Sequence, residues 1–227
     1  MVVKGKAQVT LHAVSESIIK CKKCPRLYSY IREVGKNKVK RFSKEKYWAR
    51  PVTGLGDPDA KLVVVGLAPA AHGGNRTGRM FTGDSSGEWL MRALFETGFS
   101  NIPSSESKSD GLVLRNVYIT SVLKCAPPLN KPLPSEVSNC SEYLQAELDL
   151  LKHNFIVIIA LGRIAFERLC AHYGLKGITF SHGACFKFDG KYLIASYHPS
   201  RQNTNTKRLK WEMWISIFRI ARSIINS

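Results

Sequence analysis

Three short apolar runs, KLVVVGL at 61–67, VYITSVL at 117–123 and FIVIIAL at 155–161, restrict this chain more than any other feature. Each has the length of a strand, and none alternates polar with apolar residues. A strand that is apolar at every position must be covered on both faces, the condition of a mostly parallel sheet between helices. Runs at 184–188 (ACFKF) and 192–197 (YLIASY) bring the expected strands to five. Helical patterns lie between them: 85–97, opening with a capping box from Ser85 to Glu88; 135–151, opening at Ser135; and 162–173. The alternation predicts an α/β fold. Asp189 and Gly190 predict a hairpin turn, and so an antiparallel edge. A last helical pattern, 207–226, has one apolar face to pack on the sheet, and 100–111 reads as an exposed loop. With 227 residues, 44% of them apolar, the chain suits a single domain, 1–227, whose first sixty residues differ in character and carry CKKC at 21–24 and the basic stretch GKNKVKRFSKEK at 35–46.

Lys and Arg number 34 against 17 Asp and Glu, a formal net charge of +17. A field of that sign concentrates polyanions, and binding that releases phosphate counterions is independent of base sequence. Nucleic acid is the expected partner; an anionic lipid surface is the alternative, without a basic amphipathic helix to support it. No apolar run reaches the ~18 residues of a membrane span, and the N-terminus has no cleavable leader pattern. The expected location is therefore intracellular, associated with the nucleoid.

Six cysteines occur in a chain with no secretion signal, which argues against a disulfide framework. Cys21 and Cys24 have the C-x2-C spacing that lets two thiolates share a metal centre. Cys125 and Cys140 follow, separated by fourteen intervening residues, in a proline-rich segment, KCAPPLNKPLPSEVSNC. A zinc ribbon wants a second C-x2-C; one tight pair and two distant singles suit an iron–sulfur cluster. The competing reading is a set of structural thiols. Cys170 and Cys185 read as small buried hydrophobes.

The loop after the first strand, GLAPAAHGGNRTGRMFTGD (66–84), resembles a phosphate cradle at first sight. The match to G-x4-G-K-[ST] fails where Arg79 replaces lysine and Met80 replaces the hydroxyl, and the loop is far longer than a strand-to-helix phosphate turn. What it offers is a ligand site at the carboxyl end of a strand. Glycine there lets backbone approach a flat ligand. Phe81 can stack on that ligand or belong to the core, Asp84 can face it or cap the following helix, and His72 reads as an exposed bystander. The last strand runs into YHPSRQNTNTKRLKW (197–211), placing His198 at the same end of the sheet. A neutral imidazole there can donate to developing negative charge; the alternative is a structural histidine in a turn. Arg201, Lys207 and Arg208 suit a loop that grips a phosphate backbone.

Taken together, the two loop motifs, the segment TSVLKCAPPLNKPLP (120–134) and the four ordered cysteines resemble the uracil-DNA glycosylase superfamily, specifically the type B (family 5) iron–sulfur enzymes of thermophilic bacteria and archaea. The resemblance runs from CKKC to the final helix. It implies a three-layer α/β/α fold with a mostly parallel four-stranded sheet and a cluster-bearing flank, a [4Fe–4S] cluster held by Cys21, Cys24, Cys125 and Cys140, and monofunctional removal of uracil and other deaminated bases by base flipping. The implied substrate is double-stranded DNA, with single-stranded DNA as a further one, and the implied state is a monomer. Phe81 would stack on the extruded base, while Gly66, Leu67, Ala68 and Pro69 would hold its edge. Asp84, kept ionised by the helix N-terminus, would position water, His198 would stabilise the departing base anion, and Arg201 would fill the vacated stack. Relatives often carry Thr-Asn where this chain has Thr120 and Ser121, so specificity broader than uracil, extending to modified uracils and hypoxanthine, is expected. The other reading is a non-catalytic iron–sulfur DNA-binding protein.

Overall fold

The computed structural model describes residues 10–227. In chain order the elements are α1 (Leu11–Lys20), α2 (Pro25–Lys36), β1 (Leu55–Gly56), β2 (Leu62–Gly66), α3 (Gly74–Thr77), α4 (Ser85–Glu96), β3 (Val117–Ser121), α5 (Pro134–Leu151), β4 (Val157–Leu161), α6 (Arg163–Tyr173), β5 (Cys185–Phe188), β6 (Lys191–Ser196), α7 (Arg201–Asn205) and α8 (Trp211–Asn226). The strands form one mixed sheet in the order β1-β3-β2-β4-β6-β5. It has six strands rather than four: β2 pairs parallel with β3 and β4, β4 pairs parallel with β6, and β1 and β5 add antiparallel edges. No sequence signal marks β1, which is two residues long. The β5–β6 turn places Asp189 at φ 44° and Gly190 at φ 73°, the left-handed pair that a two-residue hairpin requires.

Every residue of β2, β3 and β4 is buried, and alternate side chains feed two separate cores. Val63, Val65, Ile158, Ala160, Leu193 and Ala195 pack toward α1, α5 and α6. Leu62, Val64, Val157, Ile159 and Ile194 pack toward α4 and α8, where Trp214 and Phe218 are fully buried. This two-sided burial is why the strands read as unbroken apolar runs.

One helix start decides between two readings, and two differ from expectation. The cap of α4 is Asp84, whose Oδ1 accepts the Gly87 amide at 2.9 Å; the carboxylate one residue before Ser85 reaches the free amides of the first turn. Helix α5 starts at Pro134, with the Glu136 carboxylate accepting the Leu133 amide at 2.8 Å. Helix α8 starts at Trp211, because Lys207 takes φ 57°. The 100–111 loop is less exposed than its composition suggests: Ser105 is buried and Asp110 pairs with Arg79. Cys185, expected in the core, is exposed, since it points outward from edge strand β5, whereas Cys170 is buried. Among the described residues, no helix is long and apolar enough to cross a membrane.

Candidate active site and cysteine cavity

The loop leaving β2 is shaped by its own polar groups. The Gly66 and Leu67 carbonyls accept the Val122 and Leu123 amides at 2.9 Å each, extending the β2–β3 pairing beyond the strands. Ala70 O then accepts the Gly73 and Asn75 amides, closing the turn into α3. Arg76, almost buried, donates through Nε to His72 O at 2.8 Å, pairs with Glu45 and stacks on Phe42. Arg79 donates to Thr82 Oγ1 at 3.0 Å and Ser105 Oγ at 2.7 Å and pairs with Asp110, whose carboxyl this contact and three backbone amides hold well below the usual range. Both arginines of the apparent phosphate cradle are thus spent inside the protein.

Phe81 sits at the centre of the site with φ 49°, a left-handed conformation that strains a bulky residue. Two glycines make room for it: a Cβ on Gly66 would lie 2.8 Å from Phe81 Cζ, and one on Gly87 would strike the Phe81 carbonyl. The ring joins the core beside α4, and its other neighbour is His198, with ring centroids 6.3 Å apart and planes 28° from parallel. Loops that begin more than a hundred residues apart therefore meet at one aromatic pair. They are also tied by Ser86 Oγ, which donates to Pro199 O at 3.0 Å, and by Arg201 Nε, which donates to Ser85 Oγ at 3.3 Å.

Burial pushes the His198 imidazole down to about 4, so the ring is neutral at physiological pH. Its carbonyl accepts Asn203 Nδ2 at 2.8 Å. Burial pushes the Asp84 carboxyl up, against the Gly87 and Ser86 amides. Desolvation is the larger effect, while the two amides of the helix N-terminus favour the ionised form, as expected.

Asp84 opens onto a cavity of about 310 Å³ whose walls include Ala70, Ala71, His72 and Arg201. His72 is no exposed bystander: it is half-buried, with Nδ1 3.1 Å from the Tyr47 hydroxyl, and burial together with Arg41 and Arg76 lowers its pKa. Ser121 is fully buried at the end of β3, and its hydroxyl donates to Leu123 O at 2.6 Å. Ala68 packs on the core beside α5, and Pro69 lies against Gly74. Lys207 and Arg208 are exposed, with Arg208 stacked on Tyr197. The opposite wall comes from Tyr30 on α2 and Arg41, which no local motif marks, and from Pro127, Leu129 and Asn130 of the segment 120–134, whose sequence suggested a cysteine-bearing loop and not a wall of this cavity. Only the basic character of 35–46 hinted at Arg41.

Cys21, Cys24, Cys125 and Cys140 all line a second, tighter cavity between α2, the end of β3 and α5. Among the described residues, no three Cys, His, Asp or Glu side chains are set to hold a metal ion; the four thiols surround a space instead. Burial lifts the Cys140 thiol to about 11 and lifts that of Cys125 as well. Two donors already point at sulfur: the Lys124 amide to Cys140 Sγ at 3.3 Å and Asn139 Nδ2 to Cys24 Sγ at 3.7 Å. Cys170 and Cys185 take no part. Below this cavity Lys124 Nζ and Glu147, both almost wholly buried, form an ion pair at 2.6 Å; Glu147 also accepts from Thr120 Oγ1 at 2.6 Å, Tyr118 at 3.2 Å and the Gly54 amide at 3.2 Å.

Comparison with known proteins agrees with this arrangement. Residues 53–218 match the profile of the uracil DNA glycosylase superfamily. The chain is 47% identical over 215 residues to a type-5 uracil-DNA glycosylase of Thermus thermophilus, covering 93% of this chain and 97% of that one. It is 47% identical to the type-5 uracil-DNA glycosylase of Pyrobaculum aerophilum, covering 90% and 88%. A type-4 uracil-DNA glycosylase of Archaeoglobus fulgidus is 35% identical over 66% of this chain and 70% of its own. With both loop motifs, their meeting at Phe81 and His198, and full-length similarity of this order, the chain belongs to the uracil DNA glycosylase superfamily, on its type-5 branch.

Proposed function

We propose that this protein is a monofunctional DNA repair enzyme that hydrolyses the N-glycosidic bond of uracil in DNA and leaves an abasic site. The observation that carries this is the meeting of the two loop motifs: His198 lies against the Phe81 ring, and Asp84, three residues beyond Phe81, opens onto a cavity that Arg201 of the second motif also lines. Glycosidic cleavage builds positive charge on the sugar and negative charge on the base. Asp84, desolvated and so more basic than an exposed aspartate, offsets the first charge and accepts a proton from water. His198, neutral and desolvated, donates to the second. The target nucleotide leaves the stack, its base rests on the Phe81 face, and Ala68 and Pro69, beyond the tied Gly66 and Leu67 carbonyls, border it. Because the Ser121 hydroxyl is already spent on Leu123, that side chain imposes little selection, and modified uracils and hypoxanthine are accepted too. Arg201, Lys207 and Arg208 grip the backbone of duplex or single-stranded DNA, and the protein acts as a monomer.

The four cysteines fit a [4Fe–4S] cluster. Thiols spread around a space suit a polynuclear centre better than a single ion, two NH donors aim at sulfur, and neutral buried thiols gain by ionising against iron. When bound, the cluster cross-links 1–60 to α5. A Cys140→Ala chain should lose the broad absorbance near 400 nm and melt about 10 °C or more below the native protein; a brown, equally stable variant would refute the assignment. The activity itself is tested by incubating the native protein with duplex DNA carrying a single uracil. Free uracil and an alkali-labile site are the expected products. Intact DNA, or a strand nicked without alkali, would overturn it.

A further inference from the structure

Among the described residues no hydrogen bond reaches the His198 imidazole, so the aim of that ring is set by its packing on Phe81 and by the path of the chain around it. After His198 the path is held at two carbonyls, by Asn203 at His198 O and by Ser86 at Pro199 O. Before it, the first amide beyond β6, that of Tyr197, donates to Nδ1 of His182 at 3.2 Å. His182 is half-buried in the turn before β5, where Gly183 takes φ 83° and its amide donates to Ala195 O at 2.8 Å. Its other ring nitrogen, Nε2, lies 3.1 Å from Met213 O on α8. An amide can only donate and a carbonyl can only accept, so the neutral ring carries its proton on Nε2 and keeps Nδ1 free to accept. Burial lowers the pKa of the ring, which favours this neutral form. The imidazole also lies along the Tyr197 ring, with centroids 5.1 Å apart and planes 27° from parallel.

We propose that His182 is a positioning residue for the glycosylase reaction: through the Tyr197 amide it fixes the chain one residue before His198 and so aims that imidazole at the departing base. A histidine that only tied α8 to the sheet would need the Met213 contact alone; the bond to Tyr197 is the one that bears on the site. Its leverage is large because a misplacement of about 1 Å in a catalytic group costs about a hundredfold in rate. His182 touches neither base nor sugar in this arrangement and acts through its neighbour.

This inference rests on the role given to His198 above, and its test separates the two. Single-turnover uracil release and the dissociation constant for uracil-containing duplex are measured for native, H182Q, H182N, H198A and H182Q/H198A chains. Asparagine presents an acceptor oxygen near the place of Nδ1, whereas glutamine reaches toward Met213 and leaves the Tyr197 amide unpaired. H182Q should release uracil about tenfold or more slowly with its dissociation constant within about threefold of native, and H182N should return the rate to within about threefold. In the H198A background the further change to H182Q should alter the rate by less than about twofold, because residues that act through one another are not additive. Equal rates in H182Q and H182N, or the same loss from H182Q with and without His198, would overturn the proposal. A long-range 15N–1H spectrum of the native protein needs no variant: the His182 proton should sit on Nε2, and a proton on Nδ1 would also overturn it. A native rate in H198A would overturn the role of His198 and this inference with it, whereas a slow H198A beside a native-rate H182Q would overturn this inference alone.

Discussion

Replacing His198 with alanine is expected to slow single-turnover release of uracil by about two to three orders of magnitude, the usual cost of removing one preorganised donor from a developing anion. The imidazole lies against Phe81 and, with its pKa near 4, stays uncharged. It therefore acts as a fixed dipole with no proton to lose in the working range, and the native rate should show no inflection near pH 6.5. An inflection there that vanishes in H198A would mean that the ring titrates normally and that the desolvated, neutral donor is the wrong description. The same shift affects stability. The unfolded histidine takes up its proton near pH 6.5 and the folded one near 4, so stability is complete above pH 6.5 and declines as the pH falls from 6.5 toward 4. Asp84 needs a subtler change, since it also caps α4. Asparagine caps about as well as aspartate, so D84N keeps the helix start and removes the charge; a loss of about a hundredfold or more, with melting temperature nearly unchanged, is expected.

Glu147→Ala should cost about 3–5 kcal/mol of stability, read as a lower denaturant midpoint of the intact protein. The carboxylate is the sole acidic partner of Lys124 among the described residues, and both side chains are 1% exposed. Truncation leaves an ammonium in the interior with only Thr120 Oγ1 at 2.6 Å, and removes the acceptor used by Tyr118 and Thr120. The consequence should reach the cysteine cavity, because the Lys124 amide donates to Cys140 and Cys125 is the next residue. Exchanging the pair together, Lys124→Met with Glu147→Leu, should recover most of the loss, since removing both charges also removes their desolvation cost. A midpoint for E147A within about 1 kcal/mol of native would show that water reaches this pair and that it is not the brace described here.

The layered α/β architecture, the cysteine order and the two loop motifs were legible in the sequence for a common reason: each is encoded by short-range spacing. Unbroken apolar runs state two-sided burial, Asp189 and Gly190 state a left-handed turn, and the four ordered cysteines line one cavity. Edge strands were legible only in part, because a two-residue strand such as β1 has no period and Cys185 faces solvent on a strand whose apolar composition suggested burial. What tertiary structure alone decided is which groups meet and how wet they are. The stacking of Phe81 on His198, the wall that Tyr30, Arg41 and Leu129 add to the pocket, and the pairing of Lys124 with Glu147 join segments far apart in the chain. The direction of the Asp84 shift belongs to the same class. A sequence shows a carboxylate at a helix start, which favours ionisation; only the packed loop around it supplies the desolvation that wins. Spacing is a property of neighbours along the chain, whereas proximity and dielectric are properties of the closed fold.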